Sequence, residues 1–395
     1  MRKVRLKDIG TFYSGLSGKS KKDFSDGNAL LATYRNIFNN PVLNLDIKDT
    51  VVIGNGEKQN EVMYGDILFT GSSETPEEAG MSSVVMSEPK EKIYLNSFCF
   101  GFRLNNIIEV LPSYMGHLLR SEPVRKAISK TAFGVTRFNI NKNFLSEIEI
   151  PLPPLTIQRE IVSVLDSFTT LIDKMKQEVE LRKKQMEYYR EKLLSFDEEI
   201  RKLSFGKDFT LKARIGWQGL TKKEYLPDGE YKLITGTDFT TNNTIDFDHC
   251  VYVSKERYEQ DPYIQIKEDD VLITKDGTLG KIAYISELPM PATLNGGVFV
   301  VRGKTGEVTQ RFLKHYLISN NFKNWIEQNH TAGSIMHLTQ KLLEKFNIPV
   351  PLPSTQEDIV STLDAFEQYI SKLERLITLR EKQYAYYREK LLTFE

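Results

Sequence analysis

Gly15-Leu16-Ser17-Gly18-Lys19-Ser20 has the residue types that cradle a phosphate. The phosphate-binding spacing Gly-x-x-x-x-Gly-Lys-Ser needs glycine at position 13, where Tyr13 stands, so the stretch reads as a flexible basic loop. Glu88-Pro89-Lys90 offers half of an acid–lysine nuclease arrangement. Its proline interrupts the strand such a site requires, which makes it a solvated turn. The histidines His117, His249, His315, His330 and His337 show no metal-ligand spacing. Two distant cysteines, Cys99 and Cys250, supply neither a disulfide framework nor a thiolate zinc site. Asn40-Pro41-Val42 stops short of the Asn-Pro-Pro-aromatic run used to methylate a base amino group, and no glycine loop offers a cofactor site. The chain reads as non-catalytic, with no metal and no cofactor of its own.

What remains is binding, and the elements that would position it. The 395 residues are 40% hydrophobic and 27% charged, which suits two globular domains. Lysine plus arginine and aspartate plus glutamate both number 53, so a nucleic-acid face must be local or shared with a partner. No apolar run approaches the roughly 18 residues of a membrane span, and the basic start lacks the apolar stretch of a secretory signal. The expected compartment is cytoplasmic, with no membrane contact.

The strongest signal is a repeat. Residues 150–196 align without a gap on 348–394, at an offset of about 198 with roughly half the positions identical. Both copies run from a proline-rich lead through Gln158 or Gln356 to Tyr-Tyr-Arg-Glu-Lys-Leu-Leu. Upstream echoes are weaker: Asp66-Ile67-Leu68-Phe69-Thr70 answers Asp270-Val271-Leu272-Ile273-Thr274. The helical segments stay alike while the blocks before them diverge.

Each helical copy carries an a/d seam over about four and a half heptads. One runs Leu165, Phe168, Ile172, Met175, Val179, Arg182, Met186, Tyr189, Leu193, Phe196; the other runs Leu363 to Phe394 in the same steps. Thr156 is the expected N-cap of the first, and Ser354 with Glu357 the expected capping box of the second. An antiparallel pair related by a pseudo-two-fold axis satisfies both seams. Arg182 and Arg380 break them at equivalent positions and call for carboxylates, with Glu178, Glu180 and Glu381 nearest. Tyr188, Tyr189, Tyr386 and Tyr387 are expected to pack between helices. The blocks contain short β-rich runs, with one helix expected in each at 112–130 and 309–328, which makes them α+β domains of mostly antiparallel sheet. The division is 1–150, 151–197, 198–348 and 349–395.

This pattern resembles the specificity subunit of type I restriction–modification systems. The resemblance rests on Ile150-Pro151-Leu152-Pro153-Pro154-Leu155…Gln158 with its copy, Tyr231-Lys232-Leu233-Ile234-Thr235-Gly236-Thr237-Asp238, Lys275-Asp276-Gly277-Thr278-Leu279-Gly280-Lys281, and Gly134-Val135-Thr136-Arg137-Phe138-Asn139-Ile140 with its cousin Gly333 to Leu338. It implies two duplicated α/β target-recognition domains separated by a long antiparallel two-helix coiled coil. Each domain would read half of a bipartite site in double-stranded DNA. The helices would bind two methyltransferase subunits that carry S-adenosylmethionine, and a motor-nuclease subunit would add restriction. The alternative reading of the same residues is a non-DNA adaptor with paired protein-binding domains on a coiled coil.

Local charge favours stretches 1–35 and 117–145. The expected DNA-contacting residues of the first block are Lys19, Ser20, Lys21, Arg35, Asn36, Ser72, Arg137 and Asn139. Those of the second are Lys222, Lys223, Thr237, Asp238, Lys275, Asp276, His337, Thr339 and Lys341. Arginine can fork onto guanine and asparagine onto adenine, while lysine more often holds phosphate. Glu74, Glu77 and Glu78 form an acidic loop unsuited to phosphate.

Overall fold

The computed structural model describes residues 2–215, 219–276, 279–329 and 338–394. The chain forms two compact units, Met1–Gln177 with Arg375–Glu395, and Glu178–Glu374.

In the first unit, the apolar run Ile67–Thr70 is buried at every position because it lies between two cores. Side chains alternate across a strand. Ile67 and Phe69 therefore enter a cluster with Tyr114, Leu118 and the long-helix residues Ile161 and Leu165, while Leu68 joins Ile37, Leu43 and Leu95 on the other face. This strand is interior to a four-stranded antiparallel sheet in the order Gly10–Ser14, Cys99–Leu104, Ile67–Thr70, Ser82–Val84. A second sheet orders Thr50–Val51, Ala29–Ala32 and Ile93–Leu95, the last pair being parallel. Ser72–Ser73, Phe138–Ile140 and Ala132–Phe133 form a small antiparallel ribbon. Lys3–Arg5 pairs with Glu149–Pro151 and holds the lead into the long helix.

The second unit repeats this frame. Its four strands are Phe209–Lys212, Val298–Gly303, Val271–Thr274 and Ile282–Tyr284, and its three are Val251–Val253, Tyr231–Ile234 and Ala292–Leu294, the last pair again parallel. Lys202–Ser204 pairs with Asn347–Pro349. The echo of Asp66 in Asp270 has a structural cause. Each buried carboxylate accepts a turn amide, from Met63 or Lys267 at 2.8 Å, and grips an arginine of the neighbouring strand, Arg103 or Arg302, through two oxygens. In the first unit Tyr13 joins this group, donating to Asp66 at 2.7 Å while its ring covers Gly101, where a β-carbon would stand 2.0 Å from the ring. Tyr13 is thus a sheet residue.

The long helices are Leu155–Leu193 and Pro353–Leu392. In the first unit the beginning of one runs antiparallel to the end of the other: Phe168 stacks on Tyr387 at 5.4 Å and Lys176 pairs with Glu381 at 2.7 Å. In the second unit Tyr189 stacks on Phe366 at 5.7 Å and Lys183 pairs with Glu374 at 2.9 Å, again antiparallel. Leu165, Ile172, Val179, Leu363, Ile370 and Ile377 are buried as the seam requires. Arg182 takes Glu178 at 2.8 Å and also Gln185, but Arg380 takes Gln383 at 2.6 Å rather than a carboxylate. Both arginines are half-exposed, so neither forces a buried ion pair.

Other expectations need correction. Thr156 and Ser354 lie inside the first turns, because the helices start at Leu155 and Pro353. Tyr188 and Tyr386 are each 61% exposed instead of packed. The single helices expected at 112–130 and 309–328 are each broken in two, into Pro112–Leu118 with Glu122–Ser129 and Gln310–Ile318 with Asn320–Asn329. At the breaks, buried Ser121 and Ser319 turn their hydroxyls back onto the carbonyls of Leu118 and Tyr316 at 2.7 Å. Among the described residues no helix is long and apolar enough to cross a membrane.

Candidate nucleic-acid interface

In the first unit, the ribbon and the helix Tyr34–Asn39 enclose an open cavity of about 590 Å³ lined by Tyr34, Phe38, Ser72, Glu74, Glu78 and Arg137. Tyr34 and Phe38 stack at 5.8 Å because they sit one turn apart on the helix. The Tyr34 hydroxyl donates to the Ser72 carbonyl at 2.9 Å, joining helix to ribbon. Antiparallel pairing sets Asn139 opposite Ser72, and the strand's approach brings Arg137 Nε to Ser72 Oγ at 3.0 Å. The guanidinium lies over Phe98, 5.3 Å from its centroid. Ser72, Arg137 and Asn139 therefore form one site, with exposed Arg35 on the adjoining helix.

The other first-block candidates lie elsewhere. Lys19 is not available to a ligand: its side chain is 8% exposed, pairs with Glu57 at 2.6 Å and donates to the Val52 carbonyl at 2.7 Å. The Lys19 bond, helped by the Gly54 amide and Gln59, holds the Glu57 carboxyl down to about 2. Ser20 bonds Asp23 in a local capping box, and Asn36 ties the 40–44 loop through Asn40 and Asn44, so both are spent on structure. Lys21 is exposed. Within stretch 117–145, Arg120 donates to the Ser82 carbonyl and Arg125 to the carbonyls of Glu77, Ala79 and Gly80, bracing the acidic loop from beneath. Burial pushes both guanidinium groups down to about 10.

In the second unit, Lys275, Asp276 and Thr339 gather around a cavity of about 360 Å³ with Arg214, Phe299 and Gln340. Lys275 lies over Phe299 at 5.3 Å, as Lys142 lies over the equivalent Phe100 of the first unit at 5.1 Å. Thr237 is exposed on the turn Gly236–Asp238, and a β-carbon on Gly236 would stand 3.9 Å from the Asp276 carbonyl, which places this turn at the same site. Asp238 itself is buried, its carboxylate accepting the Thr235 amide at 2.7 Å and hydroxyl at 2.9 Å, so it shapes the turn instead of facing a ligand. Thr339 caps the helix Gln340–Leu343 through the Leu342 amide. Lys222, Lys223 and Lys341 are exposed. His337 lies outside the described residues. Tyr34, Phe38 and Arg214 were not singled out, because nothing in their spacing marks them; only the fold brings them to these cavities, and it alone sets Phe98 beneath Arg137.

Each unit also grips its helices. Gln158, 1% exposed, donates to the carbonyls of Glu109 and Pro153 at 3.0 and 2.9 Å and accepts the Leu111 amide at 2.9 Å. Gln356 does the same with Glu307, Pro351 and Thr309. Glu389 accepts the Glu122 amide in the first unit, and Glu191 the Asn320 amide in the second. His117 Nε2 meets Asp166 at 2.7 Å, and its Nδ1 meets the Tyr384 hydroxyl at 2.9 Å.

His315 repeats the aspartate contact, with Asp364 at 2.7 Å, but its Nδ1 is orphaned because Met186 stands where the repeat has Tyr384. His315, Asp364 and Glu367 bring ligand-type atoms within 4.8 Å of one another, which the spacing did not show. Lys314 pairs with Glu367, Arg311 pairs with Asp364, and Arg190 Nη2 lies 3.7 Å from Glu367. Three cations already answer two carboxylates, so the arrangement is a buried ion network with no charge left for a metal. Burial, with Lys314, Arg190 and Arg311 close by, holds the His315 imidazole neutral, pushed down to about 2.

Each unit thus joins the same α+β frame to stretches of the long helices and carries a polar cavity with its own lining. The family model "Type I restriction modification DNA specificity domain" matches residues 1–181 and 218–381, and the chain belongs to this family. It is 31% identical over 268 residues to the specificity subunit of the EcoR124I/EcoR124II type I restriction enzyme of Escherichia coli, an alignment covering 63% of this chain and 64% of that relative. A crystal structure of a type I restriction-modification system S subunit from M. genitalium shares the fold at a TM-score of 0.55 and 16% identity, over 100% of this chain and 96% of that one. A chain from a structure of type I R-M system complex assembly does so at 0.60 and 16%, over 99% and 96%.

Proposed function

We propose that this chain is the sequence-reading, non-catalytic subunit of a type I restriction–modification assembly. Blocks 1–150 and 198–348 are its two readers, each taking half of a bipartite site in double-stranded DNA, and helices 151–197 and 349–395 are the spacer. The observation that carries this is the pairing of one repeated frame with two different cavities: arginine, serine and stacked aromatics in one, lysine, aspartate and threonine in the other. A frame kept while its polar cavities change is what two readers of different sequences require.

Arg35, Ser72, Arg137 and Asn139 are the contacts of the first reader together with Lys21. Lys222, Lys223, Thr237, Lys275, Asp276, His337, Thr339 and Lys341 are those of the second. Exposed Val164, Leu171, Leu376 and Leu379 on the helices suit two methyltransferase subunits, which supply S-adenosylmethionine. A motor-nuclease subunit completes restriction, and the assembly works in the cytoplasm, where the DNA is.

The test maps methylated adenines across a genome with and without the chain, then after exchanging residues 1–150 for another member's first block. One half of the methylated motif should change and the other should stay. A change in both halves would mean that the blocks are not separate readers.

A further inference from the structure

The base that Arg137 reads can be taken from the way its side chain is held. An arginine on a flexible stem loses rotamer freedom when it binds, and fixing it beforehand removes that cost. Here the side chain is fixed twice. Its Nε is committed to Ser72 Oγ at 3.0 Å, on a serine that is itself buried, and its plane rests on Phe98. Both terminal nitrogens, Nη1 and Nη2, have no partner among the described residues. They form a pre-aimed fork of two parallel donors, the geometry that matches guanine O6 and N7 in the major groove.

Phosphate also accepts such a fork, but the surroundings decide against it. Glu74 and Glu78 line the same cavity, and Glu78 is held there by the Ser73 hydroxyl at 3.0 Å. A phosphate brought to Arg137 would meet these carboxylates. A G·C pair presents two acceptors on guanine beside the amino donor of cytosine, and so suits an arginine flanked by a carboxylate. Arg137 projects from the loop that joins Ala132–Phe133 to Phe138–Ile140 in the three-stranded ribbon, and is exposed there. We infer that this cavity reads one G·C pair of the target, Arg137 forking onto guanine and the Glu74–Glu78 wall accepting from the cytosine amino group. The inference rests on the proposed function.

The experiment uses the full chain with its methyltransferase subunits and measures binding to duplexes in which each G·C pair of the target is replaced in turn by A·T. At one position in the half read by residues 1–150, replacement should weaken the wild type about 5- to 150-fold. Arg137→Ala should be nearly indifferent to that replacement, and Arg137→Lys, which has charge but no fork, should not restore discrimination. If Arg137→Ala weakens every sequence alike, with a shallower salt dependence that Arg137→Lys restores, the contact is to phosphate and the inference is overturned. Unchanged preference in both variants overturns it as well. A wild-type assembly with no preferred sequence would overturn the proposed function, and this assignment with it. Because the Arg137 side chain is exposed, circular dichroism should show all three proteins equally folded.

Discussion

Replacing Gln158 by leucine tests how firmly the first block is joined to its helix. Leucine nearly matches glutamine in volume, so the change removes hydrogen bonds without opening a large cavity. Three bonds disappear: the donations to Glu109 and Pro153 and the acceptance from Leu111. At a net value of about 0.5–1.5 kcal/mol each, they amount to about 1.5–4.5 kcal/mol. Stranding the Leu111 amide adds about 1–3 kcal/mol, and burying an apolar side chain in place of an amide returns about 1–2 kcal/mol. The expected net loss is about 0.5–6.5 kcal/mol, centred on about 3.5 kcal/mol, a large share of an ordinary domain's stability. Gln158→Glu should cost more near neutral pH, because a carboxylate keeps the Leu111 acceptor but faces two carbonyls it cannot donate to. Burial raises the folded pKa of that glutamate above its unfolded value. Its deficit should therefore shrink as pH falls and the neutral acid regains a donor. Urea unfolding followed by residue-resolved hydrogen exchange is the assay: in Gln158→Leu the Leu111 amide should lose protection while Thr309, the counterpart beside Gln356, keeps it. A variant within about 0.5 kcal/mol of wild type, with Leu111 still protected, would refute the reasoning.

The ion network of the second unit should respond asymmetrically. Arg190→Met should be close to neutral, since Nε and Nη2 already lack hydrogen bonds, whereas Glu367→Ala should cost about 3–5 kcal/mol by taking from buried Arg190 its carboxylate and from Lys314 the nearer of its two; chemical denaturation compares them. Zinc titrated into the intact chain should leave its melting temperature unchanged, because Lys314 and Arg311 already occupy the carboxylates. His315 has a folded pKa below its unfolded value, so the second unit should lose stability as pH falls below about 6.5; His315→Gln should flatten that slope in melting curves. Glu57, likewise depressed, supports the Lys19 loop above about pH 4.5 and loses that support as pH falls toward 2; in Lys19→Met, nuclear magnetic resonance should show Glu57 titrating at higher pH.

The features legible beforehand were those written in short-range pattern. The helices follow from heptad spacing and the duplication from aligned identities. The parallel pairing of Ala29–Ala32 with Ile93–Leu95 was not legible, since no local signal tells a strand its distant neighbour. Lys19 looked like a free basic residue because Glu57 meets it only across a loop. Arg120 and Arg125 counted as surface charge until the fold turned them onto main-chain carbonyls. Arg137 and Ser72 were visible as candidates by type, but the ring of Phe98 and the acidic wall that decide what Arg137 can read come together only in three dimensions.

The helix anchors have a consequence for how such chains can change. Gln158 and Glu389 grip the first block through the carbonyl of Glu109 and the amides of Leu111 and Glu122; Gln356 and Glu191 grip the second through Glu307, Thr309 and Asn320. All of these are main-chain atoms, present whatever side chain the block carries. These particular fastenings do not depend on the side chains of the block they hold. A recombination event can deliver a different block, and it will seat provided its backbone follows the same path, it keeps a histidine for Asp166 or Asp364, and it presents apolar side chains to the helix as Tyr114 and Leu118 do to Ile161 and Leu165. New binding preferences could then be acquired by exchange of whole cassettes, in one step and without re-evolving the joint.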